Sequence, residues 1–116
     1  MAARQTFEDL EAWQAARGLT NEAYRLSRHE PLPRDFVLCD QLRRASLSVM
    51  NNTAEGWETL PVAGKKQFYN WARRSYGEVR SMTCVLLDNG FINATEQQDL
   101  LSRSVRAGKL ISGLIR

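Results

Sequence analysis

An all-α fold, an antiparallel up-down-up-down four-helix bundle, is what this sequence predicts, and three observations predict it. No segment alternates apolar and polar residues with period two, and no Asn-Gly or Asp-Gly pair signals a hairpin, so strands are not expected. Helical signals recur four times along the 116 residues. The connections between them are a few residues long, which makes antiparallel neighbours the simplest packing. Residues 1–116 read as one domain with helices over about 6–29, 35–57, 61–89 and 95–115.

In the first helix, Thr6 is the expected N-cap, followed by acids that suit the positive end of the helix dipole. Leu10, Trp13, Ala16, Leu19, Ala23 and Leu26 then recur at three- and four-residue steps, and Pro31-Leu32-Pro33 stops the ladder. Asp35 caps the second helix, whose stripe is Phe36, Cys39, Leu42, Ala45, Val49 and Thr53; Gly56 and the turn Glu58-Thr59-Leu60-Pro61 end it. The third helix steps 4-3-4-3-4 through Phe68, Ala72, Ser75, Val79, Met82 and Leu86, a heptad seam. Asn89-Gly90 closes it, with Gly90 suited to a left-handed C′ position. Thr95-Glu96-Gln97-Gln98 reads as a capping box for the fourth helix.

Composition narrows the function classes. The longest apolar run, Cys84-Val85-Leu86-Leu87, falls far short of the ~20 residues of a membrane span, and the acidic Phe7–Glu11 stretch is unlike a signal peptide. A cytoplasmic protein is expected. Cys39 and Cys84 make neither a disulfide framework nor a zinc site; a hairpin register brings them near each other as two reduced core thiols. His29, the only histidine, reads as a solvated cap, and Trp13, Trp57 and Trp71 as core or interface anchors. With no metal constellation, phosphate loop or nucleophile–base pair, no enzyme and no cofactor are expected. Charge is uneven: residues 1–60 hold 7 Lys+Arg against 9 Asp+Glu, residues 61–116 hold 9 against 4. The basic half suits a polyanion.

One stretch exceeds generic helix: Gln41, Arg43, Arg44, Ser48, Asn52, Ala54, Glu55 and Gly56, followed by Ser75 and Glu78 and preceded by Phe7, Leu10, Trp13 and Gln14. This pattern resembles the four-helix-bundle proteins encoded within intervening sequences of bacterial large-subunit ribosomal RNA genes. A related branch comprises the accessory variability determinants of diversity-generating retroelements. The resemblance covers nearly the whole chain and departs from the family pattern at Thr53, Lys65 and Arg74. It implies a homopentamer of bundles and, for the retroelement branch, contact with a reverse transcriptase and nucleic acid.

Folded as a hairpin turning near residue 59, the second and third helices set Glu78 level with residues 40–42 and Ser75 level with residues 43–45. Gln41 or Arg44 then reaches Glu78, Asn52 falls opposite residues 66–68, and Glu55 lies at the first turn of the third helix. Gln41, Arg43, Arg44, Asn52, Glu55, Ser75 and Glu78 therefore read as one polar network, either a site or a scaffold that fixes helix register. On a second face of the third helix, Lys66, Tyr69, Arg73, Tyr76 and Arg80 step 3-4-3-4. Cations interleaved with aromatics suit single-stranded RNA or another nucleic acid; an intersubunit face, where Tyr and Arg are also enriched, and a solvated flank are the alternatives, and the first two can coexist. Arg103, Arg106 and Lys109 extend the basic surface. The apolar arc of the fourth helix, about 180° wide at ~100° per residue, exceeds what one bundle covers and predicts a homo-oligomer. Two function classes stay open: a self-assembling nucleic-acid binder, and a protein-binding scaffold or accessory subunit.

Overall fold

The computed structural model describes residues 5–115 and is built of four helices: α1 (Glu11–Ser27), α2 (Phe36–Glu58), α3 (Val62–Asp88) and α4 (Ala94–Ile115). Two 3-10 turns, Phe7–Asp9 and Leu32–Arg34, precede α1 and α2, and the described residues include no strand. Each helix packs on its neighbours in sequence, and α4 closes the square against α1. The directions alternate. Thr20 of α1 bonds the Ser46 carbonyl while Ser27, two turns on, receives the Cys39 thiol from earlier in α2.

Leu19, Leu26, Leu42, Val49, Val79, Leu86, Leu100 and Ile111 fill the interior, and Leu32 enters it from its 3-10 turn. Threaded among them are small hydroxyls that satisfy themselves locally. Thr20, Thr53, Thr83, Ser46 and Ser104 each donate to a backbone carbonyl one turn back, at 2.7–3.0 Å. Among the described residues no buried side-chain polar atom lacks a partner. Thr53, a departure from the family pattern, is accommodated in this way. The ion pairs are local: Glu22–Arg25, Glu30–Arg34, Asp40–Arg44 and Asp99–Arg103 each lie within three or four residues, and none joins two helices.

The chain ends of the helices differ from expectation at several points. Thr6 does not cap α1. It opens the Phe7–Asp9 turn, where its N–H donates to the Asp9 carboxylate at 3.0 Å, and extended Leu10 separates that turn from the helix. The Phe7, Leu10, Trp13, Gln14 pattern holds this turn down: Phe7 packs edge-on to Trp13, Leu10 is buried, and the Gln14 amide donates to the Glu8 carbonyl. Asp35 caps α2 as expected, accepting from the Leu38 N–H at 3.0 Å. Gly56 does not end α2, which continues to Glu58. The stop is the expected Glu58–Pro61 turn, where Thr59 is extended, and Lys65 caps it: its ammonium donates to the carbonyls of Trp57 and Gly56 at 2.8 and 3.2 Å and lies over the Trp57 ring. A cation on terminal carbonyls is favoured by the dipole, which accounts for lysine at that position.

Gly90 has φ 74°, and its N–H and that of Phe91 bond the Leu87 and Leu86 carbonyls, the two bonds of a Schellman closure. The capping box of α4 belongs to Asn93, not Thr95. Asn93 Oδ1 accepts from the Glu96 N–H at 2.8 Å, and Glu96 Oε1 accepts from the Asn93 N–H at 3.0 Å. Phe36, expected in the α2 stripe, is 84 % exposed, because stepping three residues back from Cys39 turns a further 60° out of the core. In α3 the core face holds Tyr69, Ala72, Ser75, Val79, Thr83 and Leu86, with Phe68 and Met82 only half-buried at its edge. Cys39 is buried against α1 and Cys84 is exposed on α3, so the two thiols are not core neighbours.

Candidate nucleic-acid interface

The five-residue stripe of α3 divides by depth. Lys66, Arg73 and Arg80 are exposed, Tyr76 is half-buried, and Tyr69 is 3 % exposed. Both tyrosine rings lie over glycines of the adjoining helices. A Cβ built on Gly56 of α2 would stand 2.7 Å from Tyr69 Cδ1, and one built on Gly108 of α4 would stand 2.6 Å from Tyr76 Cε2. Burial pushes the Tyr69 phenol above its ordinary range of titration. The two rings are packing elements between helices, and the expectation that they present stacking faces beside the cations is corrected.

What remains on the surface is cationic. Among the described residues Lys66, Arg73, Arg74, Arg80, Arg106 and Lys109 form no ion pair, whereas Arg25, Arg34, Arg44 and Arg103 each have a carboxylate. These six lie on α3 and α4. Among the described residues Arg17 and Arg28 of the α1 segment are also exposed without an ion pair, while Arg43 and Lys65 are half-buried on neutral acceptors. Two open grooves run between the cations of α3 and α4. One, of about 500 Å³ on the outer face of α3, is lined by Gln67, Asn70, Trp71, Arg73, Arg74 and Gly77, with Tyr76 at its margin. The other, of about 580 Å³ on α4, is lined by Leu101, Val105 and Leu110 with Ser102, Arg106 and Lys109. Leu101 and Val105, from the wide apolar arc of α4, are only half covered.

The polar motif of α2 and α3 does not form one network. Its coherent part is a chain of neutral groups, in which the Ser75 hydroxyl and the Asn52 amide both donate to Ser48 Oγ, at 2.7 and 2.9 Å. Arg43 turns the other way, donating to Ser27 Oγ at 2.8 Å and covering the Tyr24 ring of α1. Arg44 pairs with Asp40 on its own helix. Gln41, Glu55 and Glu78 are exposed and make no side-chain hydrogen bond or ion pair among the described residues. The expected reach of Gln41 or Arg44 to Glu78 is therefore absent.

The register explains the mismatch. Ser75 meets Ser48 rather than residues 43–45, about one turn from the expected level. Side chains of a helix lean toward its own N-terminus, so on antiparallel partners the residues that touch are later in sequence than those that are level. Residues that the stripe reading passed over are Ser48 as the hub, Lys65 as a cap, and Trp71, Arg74 and Gly77 as groove lining. A glycine about four turns from the start of a helix and three from its end was the available signal for Gly77.

Among the described residues no cluster of His, Cys, Asp or Glu could hold a metal ion, and no helix is long and apolar enough to cross a membrane. No functionally curated protein matches the chain. The sequence profile described as 23S rRNA-intervening sequence protein matches residues 8–113, a span that takes in the Phe7–Asp9 turn from its second residue and nearly all of the four helices. With that span and a four-helix fold, the chain belongs to the 23S rRNA-intervening sequence protein family.

Proposed function

We propose that the protein is a non-enzymatic, cytoplasmic, self-assembling bundle that holds single-stranded RNA against the cationic outer faces of α3 and α4. The observation that carries this reading is the concentration of exposed cations without carboxylate partners on those two helices, which hold six of the eight among the described residues, Arg17 and Arg28 being the other two. Unpaired Lys and Arg on one side of a molecule release counterions when they meet phosphates, the dominant source of affinity for nucleic acid. The family description refers to an rRNA-intervening sequence, which makes RNA the polyanion to test first. Self-assembly is supported by the half-covered α4 arc and by an apolar end where Phe36 and Val37 of α2 meet Val85 and Phe91. Exposed apolar patches of this kind mark partner surfaces. Five copies is the number the family resemblance implies.

Titrating labelled single-stranded RNA at low and moderate salt tests the reading. Affinity should fall with salt by a log–log slope near −0.7 per phosphate contacted, and Arg73→Ala/Arg80→Ala should weaken binding and flatten that slope. No binding at low salt, or an unchanged double variant, would refute it. Gel filtration with light scattering tests assembly: a 13.2 kDa species across micromolar concentrations rejects it, and a stable dimer rejects only the pentamer. A second reading, a scaffold or accessory subunit for a partner protein such as a reverse transcriptase, draws on the same apolar end. A protein that co-purifies and survives nuclease treatment would favour it.

A further inference from the structure

We infer that the outer face of α3 carries a nucleobase subsite in which Trp71 is the stacking platform, Arg73 and Arg74 meet phosphates, and Gly77 leaves the floor open. The inference rests on the RNA-binding reading above and names the part of the ligand that the groove recognises. The groove of about 500 Å³ combines one indole, two guanidiniums and the amides of Gln67 and Asn70. That is the mixture single-strand binders use: cations along the backbone, an aromatic ring for a base, and neutral donors and acceptors at its edge. Its volume lies within the ~300–1,000 Å³ range of small-ligand clefts.

Trp71 is singled out by what covers the other aromatics. The Trp13 ring lies under Arg17 and against Phe7, and the Trp57 ring lies under the Lys65 ammonium. Trp71 is 39 % exposed, has no cation over it, and is steadied by an edge-to-face contact with Phe68 at 5.3 Å. Tyr69 and Tyr76 are occupied by their glycines. Phe36 is more exposed, but each groove beside it sets one carboxylate against one guanidinium, Asp40 with Arg43 and Asp35 with Arg34, and so lacks the excess of positive charge found beside Trp71.

Gly77 supplies an independent observation. Glycine weakens a helix interior, and at Gly56 and Gly108 a ring takes the vacated space. A Cβ built on Gly77 would meet nothing within 4 Å. The fold gains nothing from glycine there; the effect of the missing side chain is to deepen the groove beside Trp71.

The test uses the full chain with Trp13→Phe/Trp57→Phe, so that emission reports Trp71 alone; if that variant loses its helical signal, the difference between wild type and Trp71→Phe serves instead. A short oligoadenylate should quench the emission with the midpoint seen by anisotropy, whereas inorganic polyphosphate, charged but without bases, should bind without quenching. Trp71→Ala should weaken oligoadenylate binding about tenfold with the salt slope unchanged. Gly77→Gln, a good helix former that fills the floor, should weaken binding while the fold keeps its stability. Binding with silent Trp71 emission and an unchanged Trp71→Ala overturns the subsite and leaves the RNA reading standing. No oligoadenylate binding by wild type at low salt overturns both. Emission that follows protein concentration instead of RNA makes this face a contact between copies and also overturns the subsite.

Discussion

Gly56→Ala, in the last turn of α2, and Gly77→Ala, in the interior of α3, are the same substitution in two long helices, and the structure assigns them opposite signs. Alanine gains up to about 1 kcal/mol of helix propensity over glycine, the full amount in the interior at Gly77 and at most that in the last turn at Gly56. At Gly77 nothing lies within 4 Å of the new methyl, so the gain stands and the protein becomes about 1 kcal/mol more stable. At Gly56 the methyl would stand 2.7 Å from Tyr69 Cδ1 and 3.0 Å from Cζ, well inside the ~3.5–4.0 Å of a carbon–carbon contact. The ring must retreat by roughly 1 Å in a packed interior, and overpacking of that kind costs about 1–3 kcal/mol. The net change at Gly56 is therefore a loss, of about 2 kcal/mol or more at the upper end of that range, and the two variants should differ by at least about 1 kcal/mol. Urea unfolding followed by helical ellipticity, at one protein concentration so that assembly contributes equally, reads the difference as a shift in midpoint. If both variants are stabilised alike, the ring does not occupy the glycine's space and the packing role of Tyr69 fails.

Three further outcomes follow from other contacts. Asn93→Ala should lower stability by about 1 kcal/mol, while Thr95→Ala changes it by less than about 0.5 kcal/mol, the reverse of the sequence expectation; thermal melts of the pair decide. Lys65→Met should cost about 0.5–1.5 kcal/mol through the uncapped α2 carbonyls, measured in the same way. Cys84 should react with a thiol reagent in the native state, whereas Cys39 reacts only on unfolding. Burial, more than the nearby Asp35 charge, raises the Cys39 thiol, with Arg43 opposing. A thiol raised in the folded state keeps its proton longer than in the unfolded chain. Its contribution is therefore complete at neutral pH and declines as pH rises past about 8.5 toward the folded value, and Cys39→Ala should remove that part of the alkaline loss.

Helix number, order and approximate limits were legible because the four apolar stripes and the proline and glycine breaks are strong local signals. Asp35 and Gly90 acted as read, since each cap depends on one side chain and its own turn. Phe68 and Met82 were misplaced because a heptad template drifts against a 3.6-residue helix, and Tyr69 and Thr83 took the inner positions, while Phe36 was misplaced by a run of three-residue steps that rotates out of the core. The Asn93 box was missed because it and Thr95 both have a Glu or Gln three residues on, and only geometry separates them. The polar motif was legible as a set but not as partners. Ser48, Asn52 and Ser75 met, while Gln41, Glu55 and Glu78 stayed on the surface, because a register error of one turn reassigns every cross-helix pair.

The confinement of every ion pair among the described residues to a single local segment separates two variables that usually move together. The helices hold one another through apolar contacts, neutral hydrogen bonds and two charged donors on neutral acceptors, Arg43 and Lys65, so ionic strength has little purchase on their association. Titrating the protein with salt thus perturbs what the exposed cations touch and leaves the scaffold that presents them nearly unchanged. A salt-dependent signal from this molecule reports its ligand rather than its own unfolding, which makes ionic strength a selective probe of occupancy.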